Sequence, residues 1–106
     1  MTHIATPRFH VISSSSAART VEFTDLATLG RTEDNDIVLD DASVSGYHAM
    51  LLIEDGEVLL LDMESAAGTS VNGMPASPDE LVPLVDGDMV KVGRVLLRYE
   101  APFHFD

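Results

Sequence analysis

An all-β fold, a sandwich of two antiparallel sheets, is the expectation from three observations. Short β-branched or apolar runs recur along the chain, turn-forming residues separate them, and no long stretch holds a helical period. Phe9-His10-Val11-Ile12 and Thr20-Val21-Glu22-Phe23 read as the first pair of strands, with the serine-rich Ser13 to Ser16 as a solvated loop between them. Ile37-Val38-Leu39 is the next short run. Ala49 to Ile53 and Val58 to Leu61 flank Glu54-Asp55-Gly56-Glu57, whose Asp-Gly step is a strong hairpin signal. Asn72-Gly73 predicts a tight turn, because glycine takes positive φ freely and asparagine tolerates it. Asp34 and the proline-bearing segment Met74 to Pro83 interrupt any helix. Ser77-Pro78-Asp79-Glu80-Leu81 is the only helical candidate, of a turn or two. Asp86-Gly87-Asp88 leads into a closing hairpin, Asp88 to Val92 and Val95 to Tyr99, turned at Val92-Gly93-Arg94.

A chain of 106 residues supports one core, so a single domain is expected over residues 1–106, with its core at about 9–100 and short flexible termini. Hydrophobic content of 45% with mean hydropathy +0.13 describes a chain that folds rather than one that stays disordered. There is no cysteine, hence no disulfide framework and no thiol chemistry, which fits a reducing compartment. Met1 to Val11 lacks a basic region followed by an apolar one, and no later run approaches membrane-spanning length; a cytoplasmic protein is expected. Net charge is −12 with only six Lys and Arg, so nucleic acid and anionic membranes are repelled at long range. A monomer with no nucleic-acid or membrane partner follows as the expectation.

Between Leu29 and Gly73, three polar clusters alternate with the strand-like runs: Leu29-Gly30-Arg31, Ser45-Gly46-Tyr47-His48 and Gly68-Thr69-Ser70-Val71-Asn72-Gly73. Paired in one sheet system, those runs would bring the clusters together as loops at one edge. An arginine, short hydroxyls and backbone-exposing glycines are what a dianionic phosphate ester requires. Arg31 offers a fork of charged donors, and Ser45 and Thr69 offer hydroxyls, Thr69 also reading as a brace for its own loop. In an acidic chain these local donors must overcome the overall field, which favours ligands with basic flanks in a salt-dependent way.

Together these residues resemble the forkhead-associated (FHA) domain, a module that binds phosphothreonine peptides. The family order of Gly-Arg, Asn-Asp-Ile, Ser-x-x-His, Ser-x-x-Gly-Thr and x-Asn-Gly is met by Gly30-Arg31, Asn35-Asp36-Ile37, Ser45 with His48, Ser65 with Gly68-Thr69, and Asn72-Gly73. Asp86-Gly87-Asp88 and Val92-Gly93 resemble the closing hairpin, so the likeness runs from about Phe9 to Tyr99. It implies an FHA/SMAD-like sandwich and a phosphothreonine protein or peptide as partner. It implies Arg31, Ser45, Gly68, Thr69 and Asn72 as the peptide-binding set, with Gly30, His48 and Gly73 supporting it. His48 is expected to brace a loop rather than touch phosphate. Tyr47 falls outside the pattern and is read as packing in the core or at its edge, with outward stacking on a ligand as the other choice.

Two positions depart from the family pattern. Gly46 stands where Arg or Lys often follows the serine, and Ala67 stands where Asn usually precedes the glycine. One charge-assisted and one neutral hydrogen bond lost together cost roughly 2–4.5 kcal/mol, on the order of 30- to 2,000-fold in affinity. The expectation is therefore a non-catalytic phosphothreonine-recognition module of weakened affinity. Its alternative is a phosphate-independent scaffold that meets a protein through a sheet face or its acidic surface. Catalysis is not expected: Ser45, His48, Asp40 and Asp41 hold the atoms of a hydrolase triad, yet Ser45 lacks the strained Gly-x-Ser-x-Gly turn. No cofactor or metal is expected either. Asp34-Asn35-Asp36 fails the calcium-loop pattern at its glycine and its twelfth position, and His3, His10, His48 and His104 have no ligand spacing.

Overall fold

The computed structural model describes residues 2–4, 6–13 and 18–105, and in them every regular element is a strand. In chain order these are β1 (Thr2–Ile4), β2 (Arg8–Ser13), β3 (Arg19–Glu22), β4 (Ala27–Gly30), β5 (Ile37–Val38), β6 (Ala49–Glu54) and β7 (Glu57–Asp62). They continue with β8 (Thr69–Val71), β9 (Met74–Pro75), β10 (Val82–Leu84), β11 (Met89–Val92), β12 (Val95–Glu100) and β13 (Phe103–Phe105). A five-stranded sheet runs β10-β7-β6-β4-β5 and a six-stranded sheet runs β3-β2-β12-β11-β8-β9.

Alternation along each strand decides which side chains meet between the sheets. Phe9, Val11, Val90, Val92, Leu97 and Tyr99 point inward from the six-stranded sheet, and Leu29, Ala49, Leu51, Val58 and Leu60 from the five-stranded one. Phe9 anchors the aromatic part of this core, stacked on Phe23 with ring centres 5.8 Å apart and tilted against Tyr99 at 5.4 Å. The sandwich expected from sequence is therefore present.

Turn chemistry fixes the registers. Asp55 (φ 52°) and Gly56 (φ 79°) make the two-residue turn that closes β6 onto β7, pairing Glu54 with Glu57. Asn72 (φ 51°) and Gly73 (φ 83°) do the same between β8 and β9.

Three details differ from the sequence expectation. β4 and β5 pair in parallel, Leu29 opposite Ile37 and Gly30 opposite Val38, because the chain between them loops back to run alongside rather than turning as a hairpin. Ser77 to Leu81 forms no helix: Pro78-Asp79 is a single turn closed by Glu80 N–H to Ser77 C=O at 3.0 Å. The terminal segments, expected as flexible ends, pair as a separate two-stranded ladder, Thr2 opposite Phe105. The expected loop at Ser13 to Ser16 lies, beyond Ser13, outside the described residues; the strands on either side of it pair, Phe9 opposite Val21.

Candidate functional site

The loops after β4, before β6 and before β8 are tied together by hydrogen bonds that name almost every residue of the three polar clusters. Arg31 N–H donates to the Ser45 carbonyl at 3.0 Å, and Thr32 N–H to the Gly46 carbonyl at 3.4 Å. This close approach is why position 30 is glycine: a Cβ there would stand 2.1 Å from the Gly46 carbonyl oxygen and 2.6 Å from the Asn35 amide nitrogen. Asn35, 6% exposed, locks the approach by donating from Nδ2 to Gly46 O at 2.7 Å and Thr32 O at 2.9 Å. Its Oδ1 finds no donor among the described residues; it lies over the bare Cα of Gly30, 2.8 Å from where a Cβ would be, a C–H···O arrangement of small energy.

His48 joins the remaining loops. Its ring is fully buried, Nδ1 accepts from Ser45 N–H at 3.0 Å, and Nε2–H donates to the Gly68 carbonyl at 2.9 Å. That pattern assigns the neutral Nε2–H tautomer. With both nitrogens held by backbone, the imidazole is turned away from Ser45 Oγ, so the triad geometry weighed in the sequence does not form. The Gly68 carbonyl also accepts Gly93 N–H at 3.1 Å, which extends the tie to the β11–β12 turn. Ser45 Oγ accepts from Ala66 N–H at 3.1 Å, and a hydroxyl so engaged still has its proton to give.

Thr69, implied among the peptide-binding residues and also read as a brace for its loop, takes the second role. It is 3% exposed, and its hydroxyl donates at 2.6 Å to Asp62 Oδ1, so its side chain braces the loop and does not face solvent. Asp62 sits at the inward position that ends β7 and is itself 3% exposed. It accepts the Ser65 hydroxyl at 2.6 Å and Ser65 N–H at 3.1 Å, while Ser65 Oγ accepts Gly68 N–H at 3.0 Å. The sequence reading missed Asp62, although Asp62-x-x-Ser65 has the spacing of a carboxylate-closed turn.

Asn72, also in the implied binding set, has both ends of its side-chain amide engaged. Nδ2 donates to Asp88 Oδ1 at 2.9 Å and Oδ1 accepts Met89 N–H at 2.9 Å, so it fastens the Asn72-Gly73 turn to β11. Asp88, buried at the other end, reads in the sequence only as part of the turn into the closing hairpin. Tyr47 stays out of the buried core: it is half exposed, and its hydroxyl donates to the Asp34 carboxylate, which Thr32 Oγ1 also reaches at 2.6 Å.

Three of the six cations have partners for their side chains, while Arg31, Lys91 and Arg98 have none among the described residues, and of these Arg31 stands on the loop bonded to Ser45. Arg8 pairs with Glu22 at 3.0 Å, Arg19 donates to the Val38 carbonyl, and Arg94 lies 4.0 Å from Asp41. The exposed guanidinium of Arg31, by contrast, has no hydrogen-bond or ion-pair partner among the described residues. The salt bridge to Glu33 or Asp34 that would have made it an ordinary surface residue does not form. On the flank of the site, Asp41 is held below the usual carboxylate range by the Ser43 amide and hydroxyl, with Arg94 adding to the effect.

A two-sheet sandwich that gathers an exposed arginine, a half-buried serine and a braced glycine turn on loops at one end is an interaction module. The chain belongs to the FHA domain family: the family model "FHA domain" matches residues 27–93. Among curated relatives, the glycogen accumulation regulator GarA of Mycolicibacterium smegmatis is 44% identical over 68 residues, 64% of this chain and 41% of that protein. The chain thus spans less than half the length of that regulator. A solved FHA domain described for its phosphothreonine-dependent interactions superposes with TM-score 0.79 at 25% identity, covering 90% of this chain and 95% of the other. EmbR of Mycobacterium tuberculosis, solved with a low-affinity phosphopeptide, gives TM-score 0.83 at 27% identity over 96% of this chain and 26% of its own.

Proposed function

We propose that this domain recognises a phosphothreonine-containing protein or peptide, holding it and performing no chemistry on it. The observation that carries the reading is Arg31: a charged fork with no partner among the described residues, on a loop whose backbone is bonded directly to Ser45. Arg31 grips two phosphate oxygens and the Ser45 hydroxyl donates to a third. Gly30 and Asn35 let those loops approach, and His48, Gly68, Thr69 and Asp62 hold them there, Thr69 acting from behind the surface. Asn72 and Gly73 shape the neighbouring turn. One domain over residues 1–106, acting as a monomer in the cytoplasm, is the setting we assign. GarA is named as a regulator, and a partner-binding role within a regulatory protein is consistent with that name.

Gly46 and Ala67 favour a second reading, a scaffold that meets its partner without phosphate, because neither supplies a side-chain donor. Isothermal titration with paired phosphothreonine and unmodified threonine peptides from an oriented library separates the two. Phosphate-dependent binding supports recognition, and equal binding of both forms supports the scaffold.

A further inference from the structure

We propose that the cavity beside the phosphate-gripping loops takes one acidic side chain of the ligand, with Lys91 as its charged donor and Ser70 as the hydroxyl beside it. This inference rests on the phosphothreonine reading above and assigns that site a sequence preference.

The cavity, of about 320 Å³, is walled by Ala67, Gly68 and Gly93 on the side of the site and by Ser70 and Lys91 on the sheet. At ~30 Å³ of liquid per water, that is room for a short side chain with its hydration. Strand alternation puts Lys91 there: Val90 and Val92 on either side are fully buried, so Lys91 points away from the core. Ser70 is its direct partner across β8 and β11, and residues so opposed have Cβ atoms roughly 4.5–5.5 Å apart. An ammonium and a hydroxyl therefore open onto one patch, the donor pair a carboxylate needs. Lys91 is the only charged residue lining the cavity, and it has no hydrogen-bond or ion-pair partner among the described residues.

The cavity shares its wall with the phosphate site. Ala66 N–H reaches Ser45 Oγ, and the next two residues, Ala67 and Gly68, line the cavity. A peptide whose phosphate sits on Arg31 and Ser45 runs past this wall, and the short side chain of Ala67 leaves the way open. The chain's net charge of −12 favours basic flanks at long range, but screening over about 8–10 Å at physiological salt leaves the nearest cation to decide inside the cavity. The predicted preference is basic flanks in general and one acidic position in particular.

The test is a phosphothreonine peptide array with alanine flanks, in which aspartate or lysine is moved through every position, read against wild type, Lys91→Met and Lys91→Glu. Wild type should gain about three- to fivefold from aspartate at one position, the range of a solvent-accessible ion pair. Lys91→Met should lose that gain, and Lys91→Glu should prefer lysine there. Each protein's aspartate and lysine effects are read relative to its own affinity for the alanine-flanked phosphopeptide, and thermal melting should show all three folded, since Lys91 is exposed. A flat aspartate scan in a wild type that still prefers phosphothreonine over threonine overturns the cavity assignment alone. An aspartate gain that survives Lys91→Glu does the same. Equal binding of phosphothreonine and threonine peptides overturns both this inference and the reading beneath it.

Discussion

Arg31 and His48 divide the labour of recognition. Arg31 is exposed and uncommitted, so it contributes little to the folded state and most to a bound anion. His48 is buried with both ring nitrogens bonded to backbone of two different loops, so its removal orphans Ser45 N–H and frees the Gly68 loop. Arg31→Ala is expected to abolish phosphothreonine binding while shifting the unfolding midpoint hardly at all. His48→Ala is expected to cost about 1–3 kcal/mol of stability. Chemical denaturation of both variants beside calorimetric titration checks the pair; equal losses of stability would mean the roles are assigned wrongly.

At the scale of elements, the site is a weld between three loops, and its two departures from the family pattern sit on that weld. Gly46 is not in the left-handed region, and a Cβ there would meet only Thr32 Cγ2, at 3.4 Å, so a side chain fits. Ala67 is exposed and equally free to change. Gly46→Arg adds a charged donor and Ala67→Asn a backbone clamp. The double variant is expected to bind a phosphothreonine peptide at least about tenfold more tightly, about 1.4 kcal/mol. The gain should shrink in high salt, because the added arginine acts through charge. Titration of both proteins in one buffer with phosphorylated and plain peptide decides it, and no gain would move the scaffold reading to first place. Position 30 admits no such freedom, because backbone from the facing loop occupies the space a side chain would need.

The whole molecule is held by one apolar layer between its sheets, and Tyr99 ties that layer to the acidic β10–β11 loop. Its amide donates to the Asp88 carbonyl at 2.8 Å and its carbonyl accepts Gly87 N–H at 2.8 Å. Burial first, and then the nearby Asp86 and Asp88, push its phenol up to about 12. An unfolded tyrosine ionises near pH 10, so the folded state favours the protonated phenol. The corresponding stability is complete below pH 10 and is lost as pH rises toward 12. Thermal melts across that window should fall more steeply for wild type than for Tyr99→Phe. Parallel profiles would contradict the assignment.

The sequence by itself determined the long strands β2, β6, β7 and β12, the glycine turns and the family, because these depend on neighbours along the chain. Alternation places Leu51 and Leu60 in a core, and Asp55-Gly56 can close a hairpin whatever lies elsewhere. It also named Arg31, Ser45 and His48, since their order and spacing are local facts. Only the tertiary structure decided what each polar side chain faces. Thr69 and Asn72, in the implied binding set yet also readable as a brace and a turn residue, are settled only when Asp62 and Asp88 are seen to hold their side chains. Arg31 is left to a ligand because Asp34 is bonded to Thr32 and Tyr47 instead. A hydrogen bond depends on which groups meet in space, and residues 7 and 16 apart, as in Asp62–Thr69 and Asn72–Asp88, meet only after the sheets have formed.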